Sequence, residues 1–356
     1  MAAIYTVDQK LQVNDYYSKV IKAKAQKNVI QAVLKRGETP ANWEQKIEVE
    51  PGTEAYGVGA AEGTDFNESN IAARTNLMLS VQLEKFRSTR GFRVTDEAQL
   101  LPGWTEKKGE KQLARQQRRD AEELAYSIDC ILGSNQEAVE RGTSASTVAK
   151  TRGLMCWLQK KTFNSSKEFV QGHAVHPIPE EVYPSVGFTG AVSASGFTET
   201  QFKELLTLAA IEQGDEHLTL TGLVGQRLKM LMSDWLGKAT TVTGFNNVLM
   251  RTEPKAKKIE LICDEFAYDG VSVRTLVCNH LGCTIPASGA ITRGEAQLYS
   301  GAFIRPEFWS IDTLMPMRTR RLENKGGGER GYHEAILRLA CRNPLGQFAV
   351  VHTPAA

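Results

Sequence analysis

The chain of 356 residues carries a formal net charge of +2, with 41% hydrophobic and 24% charged residues. These values exclude wholesale disorder, and the length is enough to bury a large core divided into two or three domains. The charge balance is too small to name a partner by itself.

No window holds 18 apolar residues, and the opening MAAIYTVDQKLQVNDYYSK has no apolar signal core, so a cytosol-like setting without membrane contact is expected. Six cysteines sit in apolar contexts, which favours packed, reduced thiols over a disulfide framework.

Basic residues fall in three runs. The first 36 residues hold Lys10, Lys19, Lys22, Lys24, Lys27, Lys35 and Arg36 against Asp8 and Asp15. The second run is Lys107, Lys108, Lys111, Arg115, Arg118 and Arg119, and the third is Arg318, Arg320, Arg321, Lys325 and Arg330. Such runs hold a polyanion through counterion release, pair with acidic patches on a neighbouring copy, or merely solvate a helix face.

In chain order, residues 15–34 place Tyr16, Val20, Ile21, Val29 and Val33 at roughly helical intervals, and LKRGETP ends the helix, so this segment reads as an arm. From residue 42 the period changes to two. NWEQKIEVE alternates Trp43, Gln45, Ile47 and Val49 with polar neighbours, PGTEAYGVGAAEGTDFNESN is rich in turn residues, and RTNLMLSVQLEKFRSTRGFRVT returns with strand character. The pattern predicts a long hairpin with a mobile tip, and an isolated two-stranded ribbon needs a surface to lie on.

After the turn at Pro102 and Gly103, EKQLARQQRRDAEELAYSIDCILGSNQ repeats Leu113, Gln117, Ala121, Leu124, Ile128 and Ile131 every three or four residues. At about 1.5 Å per residue this helix spans on the order of 40 Å, a beam for smaller elements. We expect Leu113, Leu124 and Ile128 to face its own domain and Arg115, Arg118 and Arg119 to face outward. STVAKTRGLMCWLQKK then gives a short apolar helix or turn, and residues 163–197 read as an irregular loop.

TETQFKELLTLAAIEQG is a helix with Thr198 as cap, Gln201 completing a capping box and Gly214 closing it. HLTLTG is a strand, LVGQRLKMLMSDWLG a helix, and KKIELICDEFAYDGVSVRTLVC a strand pair about an Asp-Gly turn. A glycine turn at residues 326–328 precedes two closing strands, YHEAILRLACRN and GQFAVVHT. The mixture is α+β.

Candidate chemistry is sparse. GVGAAEG, residues 57–63, lacks the following apolar helix that would present its N-terminus to a pyrophosphate. CNHLGC offers Cys278, His280 and Cys283, one ligand short of a structural zinc site, and His173 and His176 lie in a loop without a carboxylate partner. Asp264 and Glu265 are adjacent, so on a strand they face opposite sides. No phosphate loop, nucleophile elbow or HExxH helix occurs. No catalytic residue, metal or cofactor is expected.

The order of elements resembles the major capsid protein of tailed bacteriophages, the HK-ninety-seven-type fold, and within it the SU-ten-like podovirus capsid family. The likeness rests on NWEQKIE, EGTDF and RTNLMLSVQLEKF in the hairpin, on LAYSIDCILGSNQ followed by TRGLMCWLQ, and on YSGAFIRPEFWSIDTLMPMRTRRLENKGGGERGYHEAILRLACRN. It implies an N-terminal arm (1–41), an extended E-loop hairpin (42–100), a peripheral P-domain with a long spine helix (101–214 and 305–353), and an axial A-domain (215–304) with a central sheet flanked by helices.

The implied role is a non-enzymatic structural shell protein in the virion capsid, assembled in the bacterial host cytoplasm as pentamers and hexamers around double-stranded DNA. A portal protein, a separate scaffolding protein and a decoration protein come with that reading as partners. In the E-loop, Trp43, Tyr56, Glu62, Asp65, Phe66 and Arg74 would make contacts between neighbouring copies. Lys19, Lys22, Lys24, Lys107, Lys108, Lys111, Arg115, Arg118 and Arg119 would face DNA or a neighbour. The sequence departs from the family pattern at Arg305-Pro306-Glu307-Phe308-Trp309, where an acidic residue usually precedes proline. Neither a coiled-coil scaffolding segment before the arm nor a lysine and asparagine pair for cross-linking is identified. The alternatives are an encapsulin-type nanocompartment, a soluble nucleic-acid-binding protein, and an enzyme with a metal at CNHLGC.

Overall fold

The computed structural model describes residues 28–49, 77–100, 112–141, 148–159, 183–193, 196–215, 217–238, 264–283, 296–324 and 327–353, with positions 285, 291 and 294. The chain opens with α1 (Val29–Val33), β1 (Lys35–Arg36), β2 (Glu44–Val49), β3 (Leu77–Gln82), β4 (Glu84–Arg87), β5 (Phe92–Val94) and α2 (Asp96–Leu100). The spine helix α3 (Gln112–Leu132), α4 (Leu154–Leu158), β6 (Phe188–Gly190), α5 (Glu199–Gln213), β7 (Thr219–Val224) and α6 (Gln226–Lys238) follow. The chain closes with β8 (Glu265–Tyr268), β9 (Val271–Val277), α7 (Ala296–Tyr299), β10 (Gly301–Ile304), β11 (Trp309–Leu322), β12 (Glu329–Cys341) and β13 (Phe348–His352).

Two sheets and one ribbon organise these elements. A five-stranded sheet has the order β1-β11-β12-β4 with β5 also on β12, a six-stranded sheet has the order β6-β13-β10-β7-β9-β8, and β2 pairs with β3 alone. Side chains alternate faces along a strand, and the six-stranded sheet uses that alternation to serve two cores. Leu223, Ala302, Ile304 and Ala349 join the core of the spine helix, with Leu124, Ile128 and Trp157. Their sequence neighbours Val224, Phe303, Phe348 and Val350 join a second core under α5 and α6. Phe202 stands at the centre of that second core, with ring centroids 5.2 Å from Phe266 and Phe303 and 5.7 Å from Trp235.

Local signals explain most elements. Thr198 and Gln201 form the reciprocal capping box, and Gly214 closes α5 at φ 68°. Asp269 and Gly270 carry φ of 46° and 82°, as a two-residue hairpin turn between β8 and β9 requires. In TRGLMCWL, a side-chain carbon on Gly153 would lie 2.2 Å from the Ser134 carbonyl oxygen, so only glycine lets α4 dock against the end of α3.

One expectation changes, and two others are seen only in part among the described residues. Residues 163–197 read as irregular, yet they supply β6, which pairs in parallel with β13; a three-residue edge strand is too short to show a period. Helix α3 has 21 described residues, about 31 Å at 1.5 Å per residue. Of the helix expected over 15–34, the part seen among the described residues is Val29–Val33.

The spine helix packs across the face of the five-stranded sheet that carries Phe86, Phe92, His333, Ala335 and Leu337. Within that apolar seam His333 Nδ1 lies 2.7 Å from Asp120 Oδ2 on α3, and its Nε2 lies 3.0 Å from the Thr319 hydroxyl on β11. A carboxylate only accepts, so Nδ1 carries the proton and the Asp120 side chain fixes the ring. A second buried group, Glu84 on β4, accepts from Gln136 Nε2 at 2.7 Å and from the Thr151 amide at 2.9 Å. The Thr151 hydroxyl in turn accepts from the Leu339 amide at 3.0 Å. One carboxyl thus ties β4, the end of the spine helix, the approach to α4 and β12. Burial outweighs these hydrogen bonds and pushes the Glu84 carboxyl up to about 7.

Both buried groups can be tested by unfolding. Asp120→Ala leaves the His333 N–H buried without an acceptor and should lower the stability of the unassembled chain by about 1–3 kcal/mol; an unchanged denaturation midpoint would contradict the tie. Because the folded Glu84 value lies above the ordinary 4.5, its favourable contribution is complete below 4.5 and is lost as pH rises through about 7. Urea unfolding across that window should therefore show stability falling with pH for the parent and a flatter profile for Glu84→Gln.

Candidate functional site

The root of the β2–β3 ribbon is built into the body of the protein. Register runs from Glu44 opposite Gln82 to Val49 opposite Leu77. Leu79 and Val81 are buried, and with Ile47 they pack into the core that holds Leu124, Ile128 and Trp157. On β12 the buried guanidinium of Arg338 donates to Asp312 Oδ2 at 2.8–2.9 Å and to the Gln45 side-chain oxygen. The ribbon therefore leaves the body at a fixed place and angle.

Trp43 lies at this root. The Arg141 guanidinium sits 4.5 Å from its ring centroid, and its carbonyl accepts from the Leu83 amide at 2.9 Å. Those contacts are within one chain. Tyr56, Glu62, Asp65, Phe66 and Arg74, with the GVGAAEG stretch, lie outside the described residues.

The arm is anchored in a comparable way. Ile30 is fully buried, the Gln31 amide donates to Asp129 Oδ1 at 3.0 Å, and Gln31 Nε2 donates to the Ala125 carbonyl at 2.8 Å. Asp129 on the spine helix thus receives the first turn of α1, and its burial raises its carboxyl above the ordinary carboxylate range. Lys19, Lys22 and Lys24 lie outside the described residues.

Along α3, Leu124 and Ile128 face the core as the periodicity requires, while Leu113 is half-buried. Arg119 is exposed and Arg115 and Arg118 are half-buried. Arg118 lies 3.8 Å from Glu122 and Arg119 lies 3.3 Å from Glu123, each one turn along the helix. Two of the three expected outward arginines therefore already face a carboxylate, which weakens the field they offer a polyanion. Lys107, Lys108 and Lys111 lie outside the described residues.

The third basic run forms a site that linear reading does not reveal. Arg318 and Arg320 stand opposite Glu334 and Tyr332, and Arg87 stands opposite Glu334 from the other side. Glu334 is 1% exposed, with Arg320 Nε at 2.6 Å, Arg318 Nη2 at 3.0 Å and Lys85 Nζ at 3.2 Å. Hydrogen bonds from Arg320, Lys85 and Arg318 outweigh burial and hold its carboxyl down to about 2. The sequence signal was the spacing: Lys85 with Arg87, and Arg318 with Arg320, each two apart, place cations on one face of their strands.

CNHLGC is a buried turn docked on the end of the spine helix. The Gly282 amide donates to the Gly133 carbonyl at 2.8 Å, His280 packs edge-on to Tyr126, and its Nδ1 lies 3.8 Å from Cys130 Sγ. Among the described residues no three His, Cys, Asp or Glu side chains are grouped to hold a metal ion, and the five described cysteines are free and buried. His173 and His176 lie outside the described residues. At the unusual Arg305-Pro306-Glu307-Phe308-Trp309 site, Arg305 pairs with Asp215 and Glu307. Trp309 Nε1 donates to Gln347 at 2.6 Å, and the Arg305 amide donates to the same oxygen at 2.9 Å. This joint links the two sheets where β10 gives way to β11.

Comparison with solved structures returns phage and GTA capsids. The capsid of Cyanophage P-SCSP1u matches with a TM-score of 0.58 at 9% identity, covering 98% of this chain and 95% of that one. The capsid asymmetric unit of Cyanophage A-1(L) gives 0.56 at 10% identity, covering 95% and 96%. The capsid of the native GTA particle gives 0.54 at 8% identity, covering 99% of each chain. At such identities the likeness speaks for the fold, an HK-ninety-seven-type α+β architecture. No curated protein sequence matches significantly. The family model described as SU10 major capsid protein matches residues 3–352, nearly the whole chain, and the protein belongs to that family of major capsid proteins.

Proposed function

We propose that this major capsid protein joins its copies through the segment that leaves β2 and returns at β3, and through the arm that precedes α1. The observation that carries the reading is the anchoring of both roots. Leu79, Val81 and the Arg338–Gln45 bond hold one, and Ile30 with Gln31 and Asp129 holds the other. Each extension then has a defined exit from a body with two cores. A shell of many identical tiles draws its strength from such repeated contacts.

In this reading pentamers and hexamers close an icosahedral shell around the double-stranded DNA of a tailed bacteriophage, and the role is structural without catalysis. Assembly in the host cytoplasm brings a portal and a separate scaffolding protein, with a decoration protein as a further partner. The arm lysines, Lys107, Lys108, Lys111 and the outward arginines of α3 meet DNA phosphates without reading bases. We keep the division into arm (1–41), E-loop (42–100), peripheral unit (101–214 and 305–353) and axial unit (215–304) with two changes: β4 and β5 go with the five-stranded sheet of the peripheral unit, and β6, α5 and β13 go with the axial unit, whose sheet or second core they share.

Electron microscopy of the purified protein tests the reading. The parent should yield closed shells. Deletion of residues 52–70 should abolish them while circular dichroism and the thermal midpoint of the unassembled chain stay close to those of the parent. Intact shells from the deletion would remove the E-loop from the account.

A further inference from the structure

Three of the five described cysteines gather where the end of the spine helix meets the turn that follows β9. Cys130 on α3 and Cys278 and Cys283 on the turn are each no more than 4% exposed. The Gly282 amide donates to the Gly133 carbonyl at 2.8 Å and holds the turn on the helix, while the Cys278 amide donates to the Val224 carbonyl at 2.8 Å and holds its start on the six-stranded sheet. Both backbones are pinned, so the sulfurs at this joint keep their places.

Within the cluster the Cys130 and Cys283 thiols are hydrogen-bonded to each other. That bond, donated by Cys130, holds the Cys283 thiol below its ordinary value of 9.0 and, together with burial, holds Cys130 well above it. The pair is therefore unequal: Cys283 supplies the thiolate and Cys130 keeps its proton. His280 stands beside them, with Nδ1 3.8 Å from Cys130 Sγ and Nε2 3.9 Å from Asp129 Oδ2, a buried oxygen with no hydrogen bond among the described residues. Asp129 favours the ring proton on Nε2, which makes Nδ1 the acceptor facing the Cys130 thiol. Gly282 and Ile285 on either side of Cys283 are half-buried, and a side-chain carbon on Gly282 would meet no atom within 4 Å among the described residues. A small molecule therefore reaches the turn next to Cys283.

We propose that Cys130 and Cys283 are a redox pair that closes to an intrachain disulfide when a hydroperoxide reaches the turn, and so clasps the end of the spine helix to the six-stranded sheet. The Cys283 thiolate attacks one oxygen of hydrogen peroxide, the O–O bond breaks, and Cys283 becomes a sulfenic acid while the departing hydroxide takes up the proton that Cys283 had lost. The Cys130 sulfur then attacks the sulfenic sulfur. The S–O bond breaks, His280 passes the Cys130 proton to the leaving hydroxide, and the S–S bond forms. Two thiols and one hydrogen peroxide thus give one disulfide and two waters, with two electrons passing from sulfur to oxygen. A reducing cytosol keeps such a pair open, whereas an oxidising setting outside the cell lets it close and persist. Cys278, whose thiol burial pushes up to about 12, takes no part.

Treatment of the full chain with hydrogen peroxide, followed by thiol alkylation and peptide mass spectrometry, tests this. The product should lose two alkylatable thiols, carry a cross-linked Cys130–Cys283 peptide, melt about 5 °C or more above the reduced chain, and return to it with dithiothreitol. Cys130→Ser should stop at the sulfenic acid, which dimedone traps on Cys283, whereas Cys278→Ser should form the disulfide as the parent does. Full alkylation of Cys130 and Cys283 after peroxide, a cross-link that uses Cys278, or a disulfide that leaves the thermal midpoint unchanged overturns the proposal. The parent chain decides the matter even where a serine variant fails to fold. The unassembled chain suffices for every arm, so the outcome is independent of the shell reading.

Discussion

The docking of the spine helix on one face of the five-stranded sheet is the contact on which the rest of the structure depends. Leu124 and Ile128 press into the core shared with Trp157, Ala335 and Leu337, while the Asp120–His333–Thr319 chain crosses the same seam. The apolar part supplies most of the stabilisation and is non-directional. The buried polar chain adds direction, since a helix that rotated or slid would leave an imidazole and a carboxylate unpaired in a dry interior.

Once that seam is closed, the remaining parts have fixed places. Asp129, further along the same helix than Asp120, receives the first turn of α1 and sets where the arm leaves. Gln136, just past the helix, meets Glu84 and Thr151 and so orients β4 and α4. Above the sheet, Arg338 takes Gln45 and sets where the ribbon leaves. The body thus fixes the roots of the arm and the ribbon, and the sheet face turned away from the spine helix carries Lys85, Arg87, Arg318 and Arg320.

Much of this was legible in the sequence wherever one local rule dominates. The three-to-four spacing of Leu124, Ile128 and Ile131, the Thr198 and Gln201 capping box and the Asp269-Gly270 turn each act over a few residues and read directly from the chain. The short β6 was not legible, because three residues carry no period and its pairing with β13 is a long-range contact. Pairs such as Asp120 with His333 and Glu84 with Thr151 are separated by 213 and 67 residues, so no window contains them. The outward arginines of α3 illustrate a different limit. Their count suggested a cationic surface, but Glu122 and Glu123, one turn on, answer two of them, whereas the cations that do gather on one face come from β4 and β11.

In the proposed reading the body folds before assembly, and copies then meet through its surface. Amide hydrogen exchange on unassembled chain and on assembled particles measures this directly. Equal, strong protection of α3 and β12 in both states is the expected result. Weak protection of α3 and β12 in the unassembled chain, rising only in the shell, would contradict it.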